Sequence, residues 1–217
     1  MSKKRTAVRK ASCRDARAIG DLNLLGIKQG NLTSKSRSQS PPGQHGAAKK
    51  KTSDYGIMLK EKQKLRIIHG CVKEGQFRKF YEIAANKKGQ TALNLLQILE
   101  VRLVNVVFKA GFASTLAEAR QLVSHKAIEV TKPGKNTFVT TSGSALLMPG
   151  TKISVAKKAQ GQHRIQVAMA AHKENDREIE WLSIDREKMT AEVSHLPDRD
   201  QLPQNINENL IVELYSK

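Results

Sequence analysis

The chain has 217 residues, with 38 Lys and Arg against 20 Asp and Glu, a formal net charge of +18 and a pI near 10.1. Solubility alone asks for a charge of magnitude ~2 to 8 in a small domain, so the excess points to a polyanionic partner. With 39% hydrophobic and 4% aromatic residues, one or two small cores can form, and a large enzyme-sized core is not expected.

The charge is uneven. Met1 to Leu65 carries a net +12, Arg66 to Gln166 a net +11 and Val167 to Lys217 a net −5. The polyanion-binding surface is therefore expected in the first three quarters, and the acidic end should face solvent or a basic protein. Cys13 and Cys71 stand far apart and outside any C-x-x-C spacing, which reads as reduced thiols in the cytosol. No apolar run approaches the ~20 residues of a membrane span, and Met1 to Gly20 is basic without an apolar centre. A soluble protein that is not exported and has no membrane partner is expected.

From Met1 to Thr52 the sequence is rich in Lys, Arg, Ser and Gly, with an apolar island at Leu22 to Ile27 and a Pro/Gly turn from Ser40 to Gly46. Too little apolar surface is present for this segment to fold alone, so it reads as a basic arm that orders on its partner. Within it, glycines such as Gly43 let backbone N–H groups approach a phosphate. Gln44 and His45 offer polar groups beside them, and the Lys49, Lys50 and Lys51 cluster attracts RNA.

Ser53 or Asp54 can cap a helix that runs to Ile68 and stops at Gly70. Lys64 and Arg66 lie on its basic side. A second helix spans Gln76 to Asn86, with Phe77, Phe80, Tyr81 and Ala84 as one apolar stripe. Among the aromatics, Phe77, Phe80, Tyr81 and Phe112 read as core, and Tyr55 alone remains a base-stacking candidate.

In the next stretch Leu96, Leu99, Leu103, Val106 and Val107 form a helical apolar stripe, while Arg102, Asn105 and Lys109 share a separate polar face. One continuous helix with an RNA-facing side is expected there. Gly111 ends it, and Thr115-Leu116-Ala117-Glu118 is a capping box that opens another helix running to about His125. That helix buries Leu116, Ala119, Leu122 and Val123 and turns Arg120, Gln121, Ser124 and Lys126 outward. Arg and Lys neutralise phosphates, while amide, hydroxyl and imidazole groups, here Asn105, Gln121, Ser124 and His125, hydrogen-bond to 2′-OH groups or base edges.

Ala127 to Thr131 and Thr137 to Thr141 read as strands joined by a Pro133-Gly134 turn, and Lys152 to Ala156 as a third. Beyond Lys157 the pattern weakens. Arg164 to His172 fits helix or strand, Trp181 to Ile184 and Thr190 to Ser194 fit strands, and Ile206 to Tyr215 fits a helix. The six histidines show no H-x-x-x-H pairing, the carboxylates gather in the acidic end, and no Gly-rich nucleotide loop occurs. No catalytic residue, metal, cofactor or small-molecule substrate is expected.

Several blocks in order, Pro42-Gly43-Gln44-His45-Gly46, Ser53-Asp54-Tyr55-Gly56, Glu61-Lys62-Gln63-Lys64, Gln76-Phe77-Arg78, Glu100 to Val107, Ala117 to His125 and Ile206 to Lys217, resemble the bacterial-type small-subunit ribosomal protein S-four family. The resemblance implies an α+β protein with an extended basic N-terminal arm over residues 1–52. It implies a small helical domain over 53–92, completed by 195–217, and an inserted RNA-binding domain over 93–194. The inserted domain is a helix pair plus antiparallel sheet with its core motif at 99–156. It further implies a structural constituent of the small ribosomal subunit in the cytoplasm. Such a protein is a primary rRNA binder that nucleates assembly at a multi-helix junction, lies near the place where mRNA enters, and contributes to translational accuracy with small-subunit protein five.

The sequence departs from that pattern in places. Met1 to Lys28 does not reproduce the usual arm, and Cys13 is alone where some members carry four zinc-binding cysteines. Val101 and Val104 stand where Arg and Asp are usual, Leu116 replaces an Arg, and Lys132-Pro133-Gly134 replaces a shorter turn. Two other readings stay open: a diverged paralogue that regulates RNA outside the ribosome, and an RNA-modifying enzyme that carries the same binding module. The second needs a catalytic domain, for which little chain remains after Gln166.

Overall fold

The computed structural model describes residues 13–19, 40–46, 48, 51–134, 136–174 and 179–216. Lys49, Lys50 and the Leu22–Ile27 island lie outside them. The fold is α+β, and the chain divides into two units, Met1–Leu93 with Pro203–Lys217, and Asn94–Leu202.

In the first unit, Ser53 caps α2 (Asp54–Ile68), its side chain accepting from the Gly56 N–H at 3.3 Å. Gly70, in the left-handed region at φ 81°, ends the helix by bonding back to Ile67. The helix α3 (Glu74–Ala85) buries Phe77, Phe80 and Ala84, the stripe expected from their spacing. Near the other end of the chain, α9 (Glu208–Ser216) packs against α2. Its Tyr215 stacks on Tyr81 at 4.7 Å and on Phe77 at 6.1 Å, and its hydroxyl donates to Glu74 Oε1 at 2.6 Å. Lys62 and Arg66 close on the same carboxylate at 3.1 and 2.9 Å.

Within the arm expected over Met1 to Thr52, Cys13–Ile19 forms a helix, α1, that buries Ala16 and Ile19 and packs on α2. Arg17 Nε also donates to the Ser40 carbonyl at 2.9 Å. Seven residues are too few to hold a helix in isolation, so the packing against α2 sustains it.

The second unit begins within α4 (Thr91–Glu100) and continues through α5 (Leu103–Lys109) and α6 (Leu116–Ser124) to five antiparallel strands in the order β2-β1-β3-β5-β4. These strands are β1 (Ile128–Thr131), β2 (Thr137–Val139), β3 (Lys152–Val155), β4 (Leu182–Asp185) and β5 (Thr190–Val193). Between β3 and β4 lie the single-turn α7 (Lys157–Gln160) and α8 (His163–Glu174), and a 3-10 turn covers Arg199–Gln201. Register sets Phe138, Val130, Ile153, Ala191 and Ile184 across one face. Val130, Ile153 and Ala191 join Leu103, Val107, Phe112, Leu122, Ile165 and Trp181 in one core. The other face carries the Thr131 and Thr137 hydroxyl pair and the Lys152–Glu192 ion pair.

The continuous helix expected over the Leu96 to Val107 stripe is two helices. Arg102 is extended, at φ −64° and ψ 138°, and forms a β-bridge with Leu146. Leu103 N–H bonds to Ala145 O at 2.8 Å, Val104 N–H to Gly143 O at 3.3 Å, and Leu147 N–H to Val101 O at 3.0 Å. The loop thus satisfies amides that a helix start leaves free. Asn105 Nδ2 donates to Leu99 O at 2.6 Å and serves the end of α4. As a result Arg102 and Asn105, expected on an outward polar face, are each only 3% exposed.

Lys109 is drawn in as well, pairing with buried Glu100 at 2.8 Å and lying 5.3 Å from the centroid of the Trp181 ring. Because removing one partner strands a buried charge, Lys109→Ala is expected to cost about 3 kcal/mol of stability in urea titrations. Adding Glu100→Gln should return part of that loss; a Lys109→Ala variant as stable as the parent would show that the pair holds nothing together.

At the Tyr215 clasp, partial burial pushes the Glu74 carboxyl up, but hydrogen bonds from Tyr215 and Lys62 and the charges of Lys62 and Arg66 outweigh it and hold the group below the usual glutamate value. A lowered native pKa means the clasp stabilises fully above the unfolded glutamate value of about 4.3 and weakens as pH falls through the lower native value. Tyr215→Phe is expected to flatten this acid dependence, measured by denaturation between about pH 5 and pH 3.

Candidate nucleic-acid interface

The exposed polar side of the second unit is built by α6 and the turn behind it. Thr115 caps α6, its hydroxyl accepting from Glu118 N–H at 3.2 Å. The Glu118 carboxylate reaches back one residue further than a capping box requires, to the Ser114 N–H at 2.8 Å. With Ala119, Leu122 and Val123 buried, helical spacing leaves Arg120 half-buried and Gln121 and Ser124 outward.

Both helices of the pair end in the same hydrogen-bonding pattern. At α5, Gly111 takes φ 81° while Phe112 N–H bonds to Val107 O and Gly111 N–H to Phe108 O. At α6, Ala127 N–H bonds to Leu122 O, Lys126 N–H to Val123 O, and the residue at φ 61° is Lys126. Glycine enters this left-handed position freely, whereas a side chain costs roughly 1–2 kcal/mol. Gly111 also has no room for more, since a Cβ there would meet the His172 ring at 2.7 Å. Lys126 instead points an exposed ammonium outward at a backbone position where lysine is disfavoured, and exposed His125 sits beside it.

Behind this surface lies a second positive charge. The Arg102 guanidinium has its pKa pushed down to about 10, first by burial and then by the nearby charge of Arg120. Two like charges held close raise the energy of the free protein, and an anion set against Arg120 relieves it. None of the ion pairs among the described residues includes Arg120 or Lys126.

The structure therefore brings Arg120, Gln121, Ser124, His125 and Lys126 onto one surface and places Arg102 and Asn105 beneath it and Lys109 in an internal pair. A residue that the sequence reading did not include joins them: Arg164 on α8 donates through Nη1 to Gln121 Oε1 in a long contact of 3.5 Å, while its Nε holds Gln162 Oε1 at 3.0 Å. A guanidinium only donates, so this contact turns the Gln121 oxygen inward and leaves its NH₂ as an outward donor.

The first unit carries the remaining candidates. Gly43, Gln44 and His45 are exposed in a tight turn closed by Gly46 N–H to Gly43 O at 3.1 Å. Gly43 has φ 112°, and a Cβ on Gly46 would overlap the Pro41 oxygen at 1.8 Å, so the turn requires both glycines. Lys51 and Tyr55 are exposed, Tyr55 by 64%. Lys64 and Arg66 are engaged within the unit. Lys64 donates to the Asn205 carbonyl, and Arg66 bonds to the Val72 carbonyl and pairs with Glu74.

Residues 7–100 match the family model described as the ribosomal protein S4/S9 N-terminal domain, and residues 101–130 match that of the S4 domain. The chain belongs to the ribosomal protein S4 family. Membership makes it a small-subunit rRNA-binding ribosomal protein in a structural, non-enzymatic family. The S4-domain match begins at the helix break, runs through the helix pair and ends in β1, so it contains Arg120 to Lys126.

If Lys126 keeps an unfavourable backbone position for its charge, stability and binding should move in opposite directions. Lys126→Gly is expected to gain about 1 kcal/mol, or roughly 2–4 °C in Tm, while losing affinity for rRNA. A calorimetric scan and a filter-binding titration read the two effects, and a gain in both would remove the charge from the account.

Proposed function

We propose that the chain nucleates small-subunit assembly by gripping a multi-helix rRNA junction through the α6 surface, the Gly43 to His45 turn and the lysines at 49–51. The observation that carries this reading is the pair of cations on α6 and its left-handed turn, half-buried Arg120 and exposed Lys126, which no carboxylate of the described residues neutralises. Lysine and arginine hold phosphates, and the oriented Gln121 amide, the Ser124 hydroxyl and the His125 ring give hydrogen bonds suited to 2′-OH groups or base edges of an irregular junction. A role in translational accuracy beside small-subunit protein five, and a position near entering mRNA in the cytoplasmic subunit, complete the proposal and rest on the family resemblance.

The regulatory-paralogue reading drew on departures from the family pattern. Val101 and Val104 are buried, each 4% exposed, and Leu116 packs against the core. These changes alter the interior and leave the outward cations in place, which favours the ribosomal reading.

Affinity for a small-subunit rRNA junction fragment is expected to fall steeply with salt, as each neutralised phosphate releases condensed counterions. Replacing Arg120 and Lys126 together by Ala should weaken it about tenfold or more and lower the salt slope by about 2. Equal affinity for unrelated RNA of the same length and salt, or failure to co-sediment with small subunits, would count against the proposal.

A further inference from the structure

The S4-domain match stops at residue 130, but the sheet carries more chain to the same place. In the β1–β3 pairing Ile128 lies opposite Val155, and the bond from Ala156 N–H to Ala127 O at 2.9 Å extends the ladder by one residue. One step beyond that bond stand Lys126, in the turn before β1, and Lys157, the first residue of α7 after β3. The turn that ends α6 and the start of α7 therefore emerge side by side from one end of this ladder. The short α7 buries Ala159 and exposes Lys157 and Lys158. Arg164 then leans back on Gln121, tying the beginning of α8 to the outward face of α6.

These cations differ from three other lysines of the unit. Lys109, Lys152 and Lys188 are matched with Glu100, Glu192 and Asp185. Lys157, Lys158 and Arg164 pair with no carboxylate among the described residues. The acidic residues nearest Lys126 in sequence, Glu118 and Glu129, are held elsewhere. Glu118 serves the Ser114 amide, and Glu129 lies in the sheet opposite Val139 and Ser154.

We infer that the RNA-binding surface continues past α6 onto α7 and α8, where Lys157, Lys158 and Arg164 engage a further run of RNA phosphates. The inference rests on the reading of α6 as the rRNA grip and extends it. Phosphate is the chemistry these groups suit. The two ammonium groups are compact point charges without a rigid base-reading geometry, and Arg164 has part of its guanidinium committed to Gln121 and Gln162. An RNA backbone is favoured over an acidic protein segment because the cations are continuous with Lys126 and Arg120, so one polyanion spans both halves.

The test is a salt series of binding to the small-subunit rRNA junction fragment, comparing the intact protein with Lys157→Gln plus Lys158→Gln. Lys188→Ala, which removes an exposed but paired cation, serves as control. Glutamine keeps helical propensity at these exposed positions, so melting temperature should not change. The double variant is expected to bind about tenfold more weakly at ~0.1 M salt, with a log–log salt slope smaller by about 2, and adding Arg164→Ala should take away about one more. The control should match the parent. Should the double variant keep the parental affinity and slope while the Arg120 and Lys126 replacement weakens binding, the extension is wrong and the α6 grip survives. Should the parent itself show no preference for the junction, both fall. A double variant that loses affinity for polyglutamate but not for RNA would also overturn the inference.

Discussion

The second unit depends on a backbone exchange at Val101 to Val104. There the chain leaves helical geometry for one extended residue and pairs with the loop at Gly143 to Leu147. The loop takes up the amides of Leu103 and Val104, Asn105 takes up the Leu99 carbonyl, and Glu100 can then be buried against Lys109. Buried polar groups are tolerated only when bonded in this way. Close approach is also needed, since a Cβ on Gly143 would sit 2.5 Å from Val104. With this join made, α5 and α6 lie on the sheet as a fixed pair, and the outward side of α6 is rigidly presented.

The same join sorts the positive charges into two classes. Arg102 and Lys109 belong to the interior, where their removal should register first as lost stability. Arg120 and Lys126 lie at the surface without carboxylate partners, where their presence costs the free protein something. Arg120 presses on the buried Arg102 guanidinium, and Lys126 occupies a left-handed position that its counterpart in α5 gives to glycine. Local energetic cost at surface cations is the pattern expected where a site is shaped for a ligand.

Features set by neighbouring residues were legible in the sequence. Ser53 and Thr115 as caps, Gly70 and Gly111 as stops, the Phe77, Phe80 and Ala84 stripe and the alternating strands all depend on spacings of a few residues. What escaped depends on distant partners. No local pattern distinguishes one helix from two across Glu100 to Leu103, because the break is made by a loop far along the chain. Cys13–Ile19 carries too weak an apolar signal to be read without α2. Arg164 to His172 is settled as helix in a structure where His172 lies against Gly111. Lys157 looked like the end of the readable motif because only the β1–β3 register reveals that it emerges beside Lys126. The candidate site was legible for Gln121 and Ser124, whose outward direction follows from helix periodicity, whereas Lys126 lies past the helix end in a left-handed turn, and the sequence misleads for Arg102 and Asn105, which follow a break made by a distant loop.

The clasp of Tyr215 on Glu74, Phe77 and Tyr81 also bears on how the polypeptide matures as it leaves the ribosome that makes it. Most of the first unit is synthesised early and its closing helix only after the whole second unit has been made. Domains commonly mature in order of synthesis, but here the contiguous middle segment is complete while α2 and α3 still lack α9. Vectorial synthesis thus favours acquisition of the α6 surface before the N-terminal helices are locked, giving nascent chains an RNA grip ahead of a finished protein.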